Sequence, residues 1–446
     1  MSDSSEPNSQ DEQSSESYQS SNSSDEETES STNDVKMRSL SDNEETEYSS
    51  EEEGEEYSSD DYDNEGISEW DYYIPNRKLK LFNDNSNISN RNYSKFRPVE
   101  FFKLLFTEQL FQLICKQTNV YRQQRYGTHW IPVSMTDIMS WIGLNILMGY
   151  HKLPSYKHYW SSNLNFKVPI VSQTMSRNLF EKISSNIHLA DNKKIPPKAS
   201  PEYSKTYKVD EFLEILQKNF KQNYILDEYV SIDESMIKFK GRSSLKQYLP
   251  MKPTKRGFKM WALADSTNGY VYNFQIYKGR DPGRTTSLGE HVVRDLTKEL
   301  EFSYRQVYFD NYFTTPNLLE YLYQKGIYAA GTIRVNRKNM PKDFCRSKKN
   351  MNHGDFEYIT SNNLVLHKWM DRKLVFVLSN FHDPTSYDVI QRREKSGVRI
   401  SVQCPTSIID YNKYMGGVDR ADQRKESYAF DRKSKRSWLR IFFSFF

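Results

Sequence analysis

Three aspartates stand where carboxylates could do metal-assisted chemistry. Asp233 interrupts an apolar run in SerIleAspGluSer, and Asp310 follows ValTyrPhe in ValTyrPheAspAsnTyrPheThr. Asp419 follows a double glycine in TyrMetGlyGlyValAspArgAlaAspGln, with Asp422 three residues on. Hard divalent cations take several carboxylate oxygens, and Mg²⁺ keeps its other positions for water and phosphate. Two such ions about 4 Å apart activate a water or a 3′-hydroxyl and stabilise the leaving oxygen of a phosphodiester, with no nucleophilic side chain required. Each residue also has an ordinary reading. An aspartate that ends a strand is commonly a turn former, and one after a double glycine is commonly a helix N-cap. Asp233 is harder to explain that way, because a carboxylate buried in a strand needs a partner or a metal.

The elements around these residues decide between the readings. Glu228–Lys240, Phe258–Ala264 and Gly269–Tyr277 read as strands. A helix over about Thr286–Leu300, a strand at Gln306–Phe309, a helix at Pro316–Lys325 and a strand at Tyr328–Ile333 follow. This β-β-β-α-β-α-β order fits an α/β, RNase H-like core. In such a sheet the first and fourth strands are neighbours, so Asp233 and Asp310 can meet at one edge while a nearby helix brings Asp419. At i and i+3 near a helix start, Asp419 and Asp422 share a face, and the helix N-terminus tolerates their charge. Upstream, Glu100–Thr118, a stretch from Ser134 (N-cap, Asp137 three residues on) to Gly149, and Gln173–Ile187 carry helical periodicity. Residues 340–405 read as basic and loop-rich, with a strand pair at Leu364–Trp369 and Lys373–Ser379, and helix returns from Ser407.

Charge is strongly segregated. The 446 residues have a net charge of +3, but residues 1–66 hold 23 acidic and 2 basic residues, a net of −21. The remaining 60 basic and 36 acidic residues give +24. A Ser/Glu/Asp-rich stretch nearly devoid of aliphatic residues cannot offset its ordering entropy, so it is expected to be disordered. The basic body points to nucleic acid. Lys252, Lys255 and Lys259 belong to the basic residues that crowd the first two strands, and Lys348, Lys349, Arg392, Arg393, Lys395 and Arg399 enrich the later loop-rich stretch. Such residues suit phosphate contacts, which hold a duplex without reading its sequence, although a solvated basic face has the same composition. ArgLysSerLysArg at 432–436 fits a nuclear-import signal or a DNA contact. The chain lacks an 18-residue apolar run or a signal-like N-terminus, so no membrane association is expected. Cys115, Cys345 and Cys404 lie too far apart for a disulfide framework or a zinc site.

At these motifs the sequence resembles the piggyBac-type transposases and their host-domesticated derivatives. The resemblance runs from about Arg97 to the last residue. Its blocks include IGLNILMGYHKLPSYKHYWSSN, MSRNLFEKISSNIHLADN, SIDESMIKFKGRSSLKQYLPMKPTKRGFKMWALADSTNGYVYNFQIYKG, FDNYFTTPNLLEYL, GTIRVNRKNMP and DYNKYMGGVDRADQ. It implies a DDE/D recombinase in which Asp233, Asp310 and Asp419 are the catalytic carboxylates. These three and Asp422 would hold two Mg²⁺ (or Mn²⁺) ions. It also implies that Arg334, Arg337 and Trp438 contact DNA. The implied partners are double-stranded DNA (transposon ends and a TTAA target) and a second copy of the chain as a homodimer, acting in the nucleus.

The implied organisation is a disordered acidic tail (1–75), a helical DNA-binding and dimerisation domain (96–222), the first part of the RNase H-like core (223–335), an insertion domain (336–406) and the rest of the core (407–446). Family members continue into a cysteine-rich, zinc-binding domain, whereas this sequence ends at TrpLeuArgIlePhePheSerPhePhe. The chain is therefore expected to be truncated, with its last apolar helix deprived of a packing partner. Intact carboxylates favour an enzyme. Loss of the end-reading module favours a domesticated, catalytically inactive DNA- or chromatin-binding protein, or a defective relic.

Overall fold

The computed structural model describes residues 69–83, 93–127, 131–250, 252–279, 283–346, 351–393, 397–427, 434 and 436–445. The acidic tail through residue 68, Lys348, Lys349, Lys395 and most of the 432–436 basic run lie outside these residues.

Six helices come first: α1 (Pro98–Leu105), α2 (Glu108–Tyr126), α3 (Met135–Tyr150), α4 (Pro169–Thr174), α5 (Arg177–Asn186) and α6 (Tyr207–Gln222). At α3 the N-cap works as its sequence suggests: Ser134 Oγ accepts from Asp137 N at 3.1 Å, and Asp137 Oδ2 accepts from Ser134 N at 2.8 Å. The single helix expected over Glu100–Thr118 is instead two, broken at Phe106–Thr107. The break is stabilised from outside the segment. Asn219 on α6 donates to Leu105 O (2.8 Å) and Thr107 Oγ1 (3.2 Å), and Asn223 donates to Leu104 O (3.0 Å). Carbonyls orphaned at a helix end thus find side-chain partners far along the chain.

The sheet follows, with β1 (Tyr229–Lys238), β2 (Lys246–Tyr248), β3 (Arg256–Asp265), β4 (Val271–Ile276), α7 (Leu288–Thr297), β5 (Gln306–Phe309), α8 (Pro316–Gln324) and β6 (Tyr328–Thr332). Strand β1 pairs antiparallel with β3 and parallel with β5, β3 pairs antiparallel with β4, and β5 pairs parallel with β6. The spatial order β4-β3-β1-β5-β6 makes the first and fourth core strands neighbours, as an RNase H-like sheet requires.

The segment expected to be loop-rich carries more regular structure than its sequence suggests. It forms α9 (Lys342–Arg346), β7 (Phe356–Ser361), β8 (Leu364–Met370), β9 (Leu374–Ser379), β10 (Tyr387–Arg393) and β11 (Arg399–Pro405). Strands β9, β8 and β7 extend the central sheet beyond β6, so this region is fused to the core through strand pairing, while β10 and β11 form a separate ribbon. Strand β10 is largely exposed and rich in charge, which removes the alternation that marks a strand in sequence. The chain then forms α10 (Thr406–Tyr414), α11 (Gly417–Ser427) and α12 (Ser437–Phe443). Among the described residues no helix is long and apolar enough to cross a membrane.

Both faces of the sheet are covered. On one, Val292, Val293 and Leu296 of α7 and Leu318, Leu319 and Leu322 of α8 pack with Val230, Ile232, Val307 and Phe309. On the other, Ile237, Phe258, Met260 and Phe274 join a core that includes Leu110, Trp141, Phe180 and Phe212 of the helical part. The helical part and the sheet therefore share one hydrophobic core. Helix α12 lies inside it, with Trp438, Leu439, Ile441, Phe442 and Phe443 all buried. The partner expected to be missing for this helix is present within the chain.

Residues 69–75, expected to belong to the disordered tail, are docked on the sheet. Asp71 N donates to Thr360 O (2.8 Å) and Thr360 N to Asp71 O (2.9 Å), while Trp70 Nε1 donates to Asn339 O (2.9 Å). Strand β7 is the last strand on its side, and pairing there occupies backbone groups that an open edge would expose.

Candidate active site

The register of β1 and β5 brings the first two aspartates together. Ile232 pairs with Phe309 in the parallel ladder, so the next residue on each strand is an aspartate, Asp233 beside Asp310. Adjacent strands lie roughly 4.8 Å apart. Asp310 sits just past the strand end, where its Oδ1 accepts from Tyr312 N at 3.0 Å.

The third carboxylate is delivered by α11, and β1 specifies how. Residues two apart on a strand share a face, so Ser231 and Ser235 flank Asp233 on one side of the sheet. Ser231 Oγ accepts from Gly417 N at 3.1 Å, and Ser235 Oγ donates to Asp422 Oδ1 at 2.6 Å. The two serines thus fix α11 across the Asp233 position. A close approach at Gly417 makes this possible: a Cβ there would lie 2.4 Å from Ser231 Oγ and 2.8 Å from Asp265 O, whereas one on Gly416 would meet nothing within 4 Å. Gly417→Val is therefore expected to force α11 off the sheet, at about 1–3 kcal/mol of stability, while Gly416→Ala stays within about 0.5 kcal/mol. Chemical denaturation of the two variants checks the contrast, and equal losses would contradict the close-packing account.

The electrostatics show carboxylates held under strain. Burial is the largest influence on Asp233 and pushes its carboxyl up to about 7; Asp310 and Asp419 push the same way, and the Lys252 ammonium opposes them. Asp310 is also raised, by burial first and with a contribution from Glu234, against hydrogen bonding from Tyr312 N and the charges of Lys252 and Arg334. Tyr411 on α10, 6% exposed, has its hydroxyl pKa raised by burial and by Asp310, Asp233 and Asp419, so it faces the same cluster.

Lysines supply the local positive charge. Lys252 Nζ lies 3.3 Å from Asp233 Oδ2 and donates to Glu234 O at 3.0 Å. Lys259 pairs with Glu234 at 2.8 Å and lies over the Tyr312 ring at 4.6 Å. Lys425 pairs with Asp422 at 2.6 Å and donates to Ser235 Oγ at 3.1 Å. Among the described residues, no three acidic, His or Cys side chains are grouped closely enough to hold one ion. The donor chemistry nonetheless suits a hard divalent cation, because the cluster is made of carboxylate oxygens. A carboxyl raised by burial and by neighbouring carboxylates, as that of Asp233 is, gains from added positive charge.

The other residues singled out from sequence divide by location. Arg334 is exposed and its Nε donates to Asn311 Oδ1 at 3.0 Å, which places it beside Asp310 at the surface. Arg337 is half-buried and donates to Asn311 O (2.9 Å) and Tyr312 O (2.7 Å), so it braces the turn that carries Asp310. Lys255 is exposed on the turn before β3. Trp438 is not brought to the carboxylates. It is 8% exposed and borders a separate cleft of about 560 Å³ with Tyr121, His188, Arg125, Lys208 and Arg436. There the Tyr121 and His188 rings stack at 3.5 Å, and burial, with Lys208 and Arg436 acting in the same direction, pushes His188 down to about 4.

Sequence reasoning missed Glu234, Ser231, Ser235, Tyr411 and Lys425 as parts of the site. The alternation SerIleAspGluSer carried a signal for the serines, since both share the face of Asp233. Tyr411 and Lys425 had no such signal.

Comparison with known proteins agrees with this architecture. The family described as Transposase IS4 matches residues 97–446. PiggyBac transposable element-derived protein 3 of Homo sapiens is 29% identical over 349 residues, covering 76% of this chain and 57% of that protein. PiggyBac transposable element-derived protein 2 of Homo sapiens is 28% identical over 352 residues, covering 77% and 58%. The chain thus spans a little more than half the length of these relatives. A cryo-EM structure of a piggyBac transposase synaptic complex with hairpin DNA superposes with a TM-score of 0.67 at 24% identity, covering 78% of this chain and 72% of that one, and so shares the fold. With its family match extending over residues 97–446 and its sheet arranged as in that structure, the chain belongs to the Transposase IS4 family, of piggyBac type.

Proposed function

We propose that this chain carries the catalytic centre of a DNA transposase that excises and integrates DNA by phosphodiester hydrolysis and strand transfer, with TTAA as its target. The observation that supports this reading is the parallel β1–β5 register that sets Asp233 beside Asp310, with Asp419 on α11 near enough that it and Asp310 both raise the Asp233 pKa. Held by these residues with Asp422 beside them, Mg²⁺ or Mn²⁺ would supply Lewis-acid activation of the attacking oxygen and charge stabilisation of the leaving one. The protein's own part is positional. Ser231 and Ser235 hold α11 over the sheet, Arg337 fixes the Asp310 turn, and Arg334 and Lys255 present charge to phosphate at the surface. Action in the nucleus as a homodimer on double-stranded DNA belongs to the same proposal. Incubating the full chain with a duplex bearing candidate terminal repeats and Mg²⁺, and resolving nicked and hairpin products, tests it.

A second reading, a domesticated DNA-binding protein without catalysis, is favoured by the lysines that already neutralise Asp233 and Asp422. Duplex binding with no cleavage in either Mg²⁺ or Mn²⁺ supports that reading instead.

Charge segregation adds a prediction common to both. From charge alone, the −21 of residues 1–66 is expected to compete with DNA for the +24 body. Deleting residues 1–66 is expected to raise duplex affinity and steepen its salt dependence. Identical salt titrations for the full and shortened chains would refute the competition.

A further inference from the structure

We infer that the cleft walled by Tyr121, His188 and Trp438, in the helical part and apart from the carboxylates, binds a free nucleoside phosphate, with the phosphate on Arg125, Lys208 and Arg436. The inference is independent of how the carboxylate cluster is read.

Three cations from separate elements converge there. Arg125 lies in the last turn of α2, Lys208 in the first turn of α6, and Arg436 just before α12. Arg125 donates to the Tyr121 hydroxyl at 3.0 Å and Arg436 to Ser184 O at 2.9 Å, both neutral acceptors. Among the described residues none of the three is ion-paired with a carboxylate. Asp191, the acidic residue next to Asn192 of the wall, is taken up by Gln124 Nε2 (2.8 Å) and Lys193 N (2.9 Å). Lys208 and Arg436 are half-buried; burial pushes both down, and the Arg436 charge lowers Lys208 further. The start of a helix also favours an anion over a cation. Like charges withdrawn from water without a counter-charge cost stability, and an anion among them offsets that cost.

The wall adds a second requirement. Asn186 O can only accept, so the neutral His188 ring carries its proton on Nδ1, 3.0 Å away. Nε2 is then an acceptor and takes Asn192 Nδ2 at 3.4 Å. That orientation leaves Asn192 Oδ1 buried with no donor among the described residues. A ligand that completes the wall therefore brings an N–H or O–H donor as well as negative charge. At about 560 Å³ the cleft has the size of a small-molecule site, and its half-buried Tyr121 ring offers one planar group a partner. A nucleoside phosphate combines the anion, the planar ring and the donors. A nucleic-acid strand fits less well, because strands are held along exposed aromatic platforms. Here His188 and Trp438 are buried and pack on each other at 5.5 Å.

Calorimetry of the full chain in EDTA, with AMP, GMP, CMP and UMP in turn, tests the site without divalent ions. At least one nucleotide is expected to bind with a Kd below about 1 mM, and inorganic phosphate about tenfold more weakly, since it meets the cations alone. Lys208→Met is expected to weaken that nucleotide about tenfold through loss of one charge-assisted contact. Its unfolding midpoint without nucleotide should be no lower than the parent's, because a repelling charge has gone. Lys208→Arg should keep the nucleotide within a few-fold of the parent, and Asn192→Ala should weaken the nucleotide while leaving phosphate unchanged. No nucleotide binding by the parent, or binding unchanged in Lys208→Met, would overturn the site. A lowered midpoint in Lys208→Met would overturn the account of Lys208 as an unneutralised charge. Equal affinities for nucleotide and phosphate would overturn the nucleoside assignment. A short single strand that binds in a Lys208-dependent way where no mononucleotide does would give the cleft to nucleic acid instead.

Discussion

Asp233→Ala and Asp310→Ala are each expected to abolish Mg²⁺-dependent cleavage while leaving duplex affinity largely intact. Groups that only orient metal ligands typically change affinity or activity by about 10–100-fold, so loss of a ligand itself should exceed about 100-fold. The two substitutions remove side chains that meet through the β1–β5 register and leave the exposed basic residues in place, which is why binding and cleavage should separate. The unfolding midpoint should stay within about 2 °C of the parent's, a change of roughly 1 kcal/mol for a chain of this size. Gel-resolved cleavage, fluorescence-anisotropy binding and thermal melting of the same preparations give the three readouts. Cleavage surviving either substitution would show that the site is elsewhere.

The second large effect concerns the end of the sequence. Deleting residues 437–446 removes Trp438, Leu439, Ile441, Phe442 and Phe443 from the shared core. At ~1.5–3 kcal/mol for each large apolar side chain, the loss is on the order of 10 kcal/mol, comparable to the ~5–15 kcal/mol that holds a typical domain together. The shortened chain is therefore expected to be insoluble or unfolded. The single substitution Phe442→Ala should cost ~3–5 kcal/mol, since Phe442 is fully buried with its ring centroid 5.1 Å from that of Phe212. Because the helical part and the sheet share this core, urea unfolding of Phe442→Ala should remain one transition displaced to lower denaturant. A wild-type midpoint would mean that α12 is only loosely applied.

The core strands and their aspartates were legible in the sequence for a local reason. Gln306–Phe309, flanked by helical periodicity, announces a strand by its own residues, and once the strand order is granted, the adjacency of Asp233 and Asp310 follows from one register. The fusion of the later strands to the sheet was not legible. Two were foreseen where apolar residues cluster, at β8 and β9, but β10 is dominated by exposed and charged side chains that look like a loop. The break between α1 and α2 had no local marker either, because its stabilising groups are Asn219 and Asn223 on α6, more than a hundred residues away.

The roles of the basic residues show the same division. Arg334 and Arg337 look alike in GlyThrIleArgValAsnArg, yet one is exposed and the other braces the Asp310 turn through two backbone carbonyls. Trp438 reads as an aromatic available to DNA, and its fold position is a cleft wall beside His188.

By itself the sequence determined the segregation of charge, the strand and helix order of the core, and where along that order the three candidate aspartates fall, because composition, periodicity and turn chemistry are carried by near neighbours in the chain. Tertiary structure alone decided how α11 is held over β1 by Ser231, Ser235 and the missing Cβ of Gly417, which lysine pairs with which carboxylate, and where the final helix finds its core. These depend on side chains brought together across up to about 190 residues of intervening chain, and complementarity at that range leaves no periodic trace in either partner's own sequence.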